Sequence, residues 1–130
     1  MRDDDIGPLV LFGLGGIFAE ALADTSVRVA PLTDVDAREL IRGIRGLRLL
    51  EGERGGEAAR LEWLEEAALR LSQLAGEQEA IAELDLNPFL ASATRGATLA
   101  LDARIRVRSQ GNRSKADRSK GTGTQEKGQS

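Results

Sequence analysis

Asp85, Asn87 and Asp102 are the residues of this sequence whose types and spacing could do chemistry. They sit in two short apolar runs, Glu83-Leu84-Asp85-Leu86-Asn87-Pro88-Phe89-Leu90 and Leu99-Ala100-Leu101-Asp102-Ala103. Asp85 and Asn87 are two residues apart, so on a strand both side chains point to one face. A second strand can bring Asp102 beside them. Two carboxylates and an amide oxygen converging on one sheet face make a site of hard oxygen ligands. Mg2+ carrying substrate phosphates is the usual occupant of such a site. The competing reading of the same spacing is a strand end with a Pro-containing turn and solvated acids.

Several elements must position these residues. Leu9 to Phe12 is a compact apolar run that reads as a buried strand, closed by Gly13-Leu14-Gly15-Gly16. Glycines there permit a tight turn or a close approach to a ligand. The spacing matches neither the dinucleotide nor the P-loop fingerprint, so the turn alone reads as a plain hairpin or bulge. Ile17 to Leu22 could be a second strand or the start of a helix. Thr25 to Ala30 alternates as a half-buried strand does. Thr33 and Asp36 form a capping-box pair, and Ala37, Leu40, Ile41 and Ile44 follow at helical spacing, with Gly46 as the stop. Leu47 to Leu50 reads as a connector and Glu51 to Gly56 as a loop.

Glu57 to Ala75 is the clearest helix, with Leu61, Leu64, Ala68, Leu71 and Ala75 on one stripe. Ile81 to Leu86 alternates next, with Ala82, Leu84 and Leu86 toward the core. Pro88 marks a strand end or an edge bulge. Thr98 to Val107 alternates again. Leu99, Leu101, Ala103, Ile105 and Val107 are expected to face inward, and Asp102, Arg104 and Arg106 outward. Whether Asn87 and Asp102 share a face depends on the hairpin register, which a bulge at Pro88 could shift. The expected fold class is α+β, a mostly antiparallel sheet with two helices on one face.

Composition bounds the rest. At 130 residues the chain holds one domain at most. Cys and His are both absent, which excludes disulfides, thiolate metal sites, cysteine nucleophiles and any phosphohistidine within this chain. Residues 109–130 contain no Val, Leu, Ile or aromatic residue and carry a basic excess. Such a segment cannot offset its ordering entropy, so it is expected to be a disordered tail after a folded unit at 1–108. It could touch nucleic acid or an anionic surface, but a solubilising or run-on end is the preferred reading. Asp3, Asp4 and Asp5 stand where a signal peptide needs basic residues, and the apolar run from Pro8 to Ala23 is too short to span a bilayer. A soluble, cytoplasmic protein without a membrane partner is expected.

Gly7-Pro8-Leu9-Val10-Leu11-Phe12-Gly13-Leu14-Gly15-Gly16-Ile17-Phe18-Ala19-Glu20 resembles the G-P-V-V-x-F-G-x-G-G-I-x-x-E signature of the ATP-grasp domain of ADP-forming acyl-CoA synthetases. Val27-Arg28-Val29-Ala30-Pro31-Leu32 is similar to the segment that follows it in that family. Glu83-Leu84-Asp85-Leu86-Asn87-Pro88 and Leu101-Asp102-Ala103-Arg104-Ile105 resemble its closing E-L-D-I-N-P and V-D-A-R-I pieces. The same closing module also resembles the nucleotide-binding half of succinyl-CoA synthetase. The match runs in order from about Arg2 to Val107, and the C-terminal tail lies outside it.

The resemblance implies the C-terminal subdomain of an ATP-grasp unit that binds Mg2+ and ATP or ADP. It implies Asn87 and Asp102 as metal ligands and Asp85 as a close or alternative one. Gly13, Gly15, Gly16 and Glu20 would line the nucleotide, and Arg28 could face the phosphates as a catalytic residue, or could equally be a surface arginine paired with a carboxylate. The whole enzyme would convert acyl-CoA, ADP and phosphate to acid, CoA and ATP, or the reverse. The lysines that grip adenine and phosphate in the family lie upstream of this match, and here the only lysines are in the tail. The expected partners are therefore an upstream ATP-grasp half and a CoA-binding subunit or domain, with the chain alone inactive. The alternative is a non-catalytic interaction module, or a truncated remnant, that keeps the fold.

Overall fold

The structure, a computed structural model, describes residues 1–14 and 24–109. Its first layer is built from alternation. Strand β1 (Arg2–Asp3) lies antiparallel to β2 (Gly7–Gly13), which pairs on its other side with β3 (Thr25–Val29). Val10 lies opposite Arg28 and Leu11 opposite Val27, so successive rungs present opposite faces. Val10 and Ser26 are buried, whereas Leu11, Val27 and Val29 are half exposed. One face of this sheet is therefore packed and the other open.

Two helices cover the packed face. Helix α1 (Asp34–Arg42) opens on the expected capping box: the Asp36 N–H donates to Thr33 Oγ1 at 3.1 Å, and the Thr33 N–H donates to Asp36 Oδ2 at 2.8 Å. Its apolar stripe buries Ala37, Leu40 and Ile41. The helix ends at Arg42, short of Gly46. The connector at Leu47–Leu50 is itself a one-turn helix, α2, followed by a 3-10 turn at Glu53–Gly55. Helix α3 (Leu61–Glu77) starts later than its pattern suggests, because residues 57–60 run without helical structure into its first turn. It buries Leu61, Leu64, Ala68 and also Ser72. The Ser72 hydroxyl accepts the Leu32 N–H at 2.8 Å, which satisfies a polar group inside the apolar stripe and ties α3 to the end of β3. An Arg42–Glu65 ion pair links the two long helices.

The core has two clusters. Val10, Leu40 and Ala68 pack with Phe12, Ala30 and Leu32, while Ile41, Leu61 and Leu64 pack with Phe12, Leu47, Leu50, Phe89 and Ala91. Phe12 belongs to both and joins them. Phe89 and Ala91 bring in the second layer of strands, which carries the candidate site. There β4 (Ile81–Leu86) pairs with β7 (Ala103–Val107), and β5 (Phe89–Leu90) with β6 (Leu99–Ala100), all antiparallel. The architecture is thus α+β with antiparallel strands throughout.

Three expectations need correction. The last strand is not continuous from Thr98 but breaks at Leu101 and Asp102. Ile105 and Val107 do not face inward: they are 58% and 64% exposed, because no layer among the described residues packs over them. The register shift lies between Ile81 and Glu83, not at Pro88. The expected tail falls outside the described residues beyond Ser109. Among the described residues no helix is long and apolar enough to cross a membrane.

Candidate functional site

The site is a matter of hairpin register. Leu86 lies opposite Ala103 and Phe89 opposite Ala100, so one register runs across Pro88 without slipping. One step beyond the Leu86 rung, the Asn87 N–H donates to the Asp102 carbonyl at 3.2 Å. Pro88 has no N–H to give, but its carbonyl accepts the Leu101 N–H at 2.9 Å, so the pairing survives the proline. The far end of the hairpin is fastened by Thr98, whose hydroxyl accepts the Ser92 N–H at 3.1 Å and donates to the Ser92 carbonyl at 3.2 Å.

This register collects three rungs of polar residues on one face. Glu83 is opposite Arg106, Asp85 is opposite Arg104, and Asn87 meets Asp102. Opposed side chains on such a ladder have their Cβ atoms about 4.5–5.5 Å apart. Leu84 and Leu86 occupy the reverse face and are half-buried, which fixes the polar set outward. Glu83 and Arg106 form an ion pair at 3.1 Å. Asp102 Oδ1 accepts the Ala103 N–H at 2.9 Å, and its Oδ2 lies 3.5 Å from Arg104 Nε.

The donor set suits a hard cation. It offers an amide oxygen and a carboxylate on facing segments just beyond the ends of β4 and β7, both exposed to solvent. No group of three His, Cys, Asp or Glu side chains among the described residues could cage a metal alone. Mg2+ takes one or two protein oxygens and completes its shell with water and phosphate. Asp85 stands one rung away on the same face and is exposed.

The other sequence-derived candidates are placed elsewhere. Arg28 lies opposite Val10, on the helix-covered side of the first sheet, and pairs with Glu39 of α1 at 3.4 Å. The structure does not bring it together with Asn87 and Asp102. Gly13 closes β2 opposite Thr25, where a Cβ would come within 3.0 Å of Thr25 Cγ2 and 3.1 Å of the Asp24 carbonyl, so close packing alone already favours glycine. Gly15, Gly16 and Glu20 lie outside the described residues.

Sequence reasoning missed Asp24. This buried carboxylate accepts the Arg45 N–H and the Gly46 N–H, each at 2.7 Å, and so anchors the turn after α1 to the start of β3. A Cβ on Gly46 would approach Asp24 Oδ2 to 3.1 Å and Leu14 Cδ2 to 3.0 Å, so a larger residue there would crowd the clasp. The partners are 21 and 22 residues apart, and no local pattern announces such a contact.

Comparison with known proteins agrees with this fold. Residues 1–107 match the family model described as an ATP-grasp domain. Over 105 residues the chain is 44% identical to the beta subunit of acetate–CoA ligase (ADP-forming) I of Pyrococcus furiosus, covering 81% of this chain and 44% of that subunit. It is 39% identical over 99 residues to 4-hydroxybutyrate–CoA ligase (ADP-forming) of Nitrosopumilus maritimus, covering 76% of this chain and 14% of that enzyme. Among solved structures, acetyl-coenzyme A synthetase 1 of Ca. Korarchaeum cryptofilum, in complex with coenzyme A and Mg-AMPPCP, is 42% identical with a TM-score of 0.77, covering 83% of this chain and 50% of that one. The chain spans less than half the length of these curated relatives. It belongs to the ATP-grasp family, among the relatives of the ADP-forming acetate–CoA ligase beta subunits.

Proposed function

We propose that this chain supplies the magnesium- and phosphate-facing wall of the nucleotide site in a cytoplasmic ADP-forming acyl-CoA synthetase, which interconverts acyl-CoA, ADP and phosphate with acid, CoA and ATP. Residues 1–108 form this unit, and 109–130 stand outside it. Asn87 and Asp102 hold the Mg2+, and Asp85 is the acid beside them. The observation that carries the reading is the hairpin register, which sets Asn87 against Asp102 through a 3.2 Å backbone bond. Bound Mg2+ would neutralise charge on the phosphate oxygens during phosphoryl transfer. Asn87 and Asp102 would orient it from two facing, backbone-bonded segments of the hairpin, which limits the reorganisation needed on binding.

Gly13, Gly15, Gly16 and Glu20 line the nucleotide in this reading. For Arg28 to reach a phosphate it must leave Glu39, and an exposed pair of this kind contributes only about 0–1 kcal/mol. The acyl and CoA chemistry falls to segments beyond the matched part of the relatives, including an upstream ATP-grasp half and a CoA-binding domain or subunit. Calorimetric titration of the 130-residue chain with ADP, in Mg2+ and in EDTA, tests the reading. Binding that needs Mg2+ and disappears in the Asn87→Ala, Asp102→Ala double variant is expected. Unchanged ADP binding in that variant overturns the site assignment. Acid- and CoA-dependent ADP release by this chain alone overturns the division of labour.

A further inference from the structure

Arg104 faces Asp85 across the hairpin, yet its guanidinium turns along its own strand to Asp102, with Nε 3.5 Å from Oδ2. It therefore stands between two carboxylates on one exposed face, and its side chain is 83% exposed. Neighbouring Arg106 does otherwise and pairs with the acid of its own rung, Glu83, at 3.1 Å. The Asp102 oxygen that Arg104 engages is Oδ2, because Oδ1 is already taken by the Ala103 N–H. A guanidinium at that oxygen repels a divalent cation arriving on the same carboxylate, so the cation binds more weakly while Arg104 stays there.

We propose that Arg104 is a positioning residue with two carboxylate partners: it holds Asp102 in place beside Asn87 when no cation is bound, and it crosses to Asp85 when Asp102 takes the metal. Asp85 is then the alternative partner of Arg104, not a metal ligand. The proposal rests on the reading of Asn87 and Asp102 as the magnesium ligands. It explains why an arginine sits beside a cation site, where a fixed positive charge would only oppose binding. Movement to Asp85 takes the guanidinium away from the metal and cancels the charge of an acid that would otherwise compete as a ligand.

The test titrates the full, 15N-labelled chain with MgCl2 at constant ionic strength. The dissociation constant is read from the Ala103 amide, whose N–H is bonded to Asp102. Loss of the competing charge in Arg104→Gln is expected to tighten Mg2+ binding about threefold to tenfold. Asp85→Asn is expected to weaken it, through lost negative charge and through loss of the place Arg104 moves to. The decisive comparison is the Asp85→Asn factor measured with and without Arg104, which should be at least about threefold smaller in the Arg104→Gln background. The Arg104 Nε–H resonance should also shift with Mg2+ in the wild type and not in Asp85→Asn.

An Asp85→Asn factor that stays equal or grows when Arg104 is absent makes Asp85 a bystander or a ligand and overturns the proposal. The Asn87→Ala, Asp102→Ala variant separates the two levels. If it abolishes the Mg2+ response while the double-variant comparison is additive, only the role of Arg104 fails. If the wild type shows no response, or this variant keeps it, the metal-site reading fails and the proposal with it.

Discussion

The Asn87 N–H donates to the Asp102 carbonyl at 3.2 Å, and this bond decides which side chains share the polar end of the hairpin. A slip of one residue would turn Asp102 to the face of Leu84 and Leu86 and leave Asn87 opposite an apolar side chain. The site thus depends on whatever holds the register, and the turn beyond it is held by Thr98.

Thr98→Val should loosen that end without changing the volume. It removes the acceptor of the Ser92 N–H and the donor to the Ser92 carbonyl, a part-buried pair of bonds whose loss costs about 1–2 kcal/mol. Amide exchange at Asn87 should then speed up about fivefold to tenfold, as the hairpin end opens more often. Unchanged exchange at Asn87 would show that the register is held elsewhere.

Asp24 makes a sharper prediction, because a buried carboxylate serves two backbone donors at once. Asp24→Ala leaves the Arg45 and Gly46 N–H groups without partners and should lower stability by about 2–4 kcal/mol in urea unfolding. Asp24→Asn keeps one acceptor but turns an amide NH2 toward the second donor, so it should fall between the wild type and Asp24→Ala. Equal stability of the three proteins would mean that water satisfies the turn.

The contrast between these residues and the helices shows what the sequence made legible. Thr33 and Asp36 are three apart, and the stripe of Leu61, Leu64 and Ala68 is periodic, so their roles follow from local spacing alone. The acid and amide pattern at Asp85, Asn87 and Asp102 was visible too, but their juxtaposition was not. Register is a relation between two strands, and nothing within either strand places the irregularity near Ala82 rather than Pro88. Ile105 and Val107 misled for a related reason. Alternation shows that a strand has two faces, not that a layer covers one of them. Asp24 and Ser72 are polar residues that became buried because distant backbone groups needed partners.

The capping box makes stability pH-dependent. The Thr33 N–H holds the Asp36 carboxyl below the usual carboxylate range, aided by the Thr33 hydroxyl and more weakly by the charge of Arg28, against slight desolvation. A carboxyl with a depressed folded-state pKa contributes stability that is complete above its unfolded value, about 3.9. That contribution is lost as pH falls through the depressed folded value. Asp36→Asn should therefore unfold at lower urea than the wild type at pH 7, with the gap closing in acid below the unfolded value. A gap that stays constant down to low pH would assign the cap's stability to groups other than the Asp36 charge.

Helix α3 shows the opposite situation at its start. Arg60 is the N-cap residue: its carbonyl accepts the Trp63 N–H at 3.1 Å, but its side chain makes no capping bond to the first-turn N–H groups. Its positive charge is also of the wrong sign for a helix N-terminus. In partial compensation the guanidinium lies 5.2 Å from the centroid of the Trp63 ring, a contact worth about 0.5–1 kcal/mol at an exposed site. Arg60→Ala and Arg60→Asp both lose that contact, and only the aspartate gains a capping acceptor with a favourable charge. The difference between the two variants therefore isolates the cap, and Arg60→Asp should be more stable by about 1 kcal/mol in urea unfolding. Against the wild type the aspartate gain is partly offset by the lost ring contact, so its net effect should be small and positive. Equal stability of the two variants would mean that water caps this helix as well as a carboxylate does. A wild type more stable than Arg60→Asp would mean that the Trp63 contact outweighs the cap.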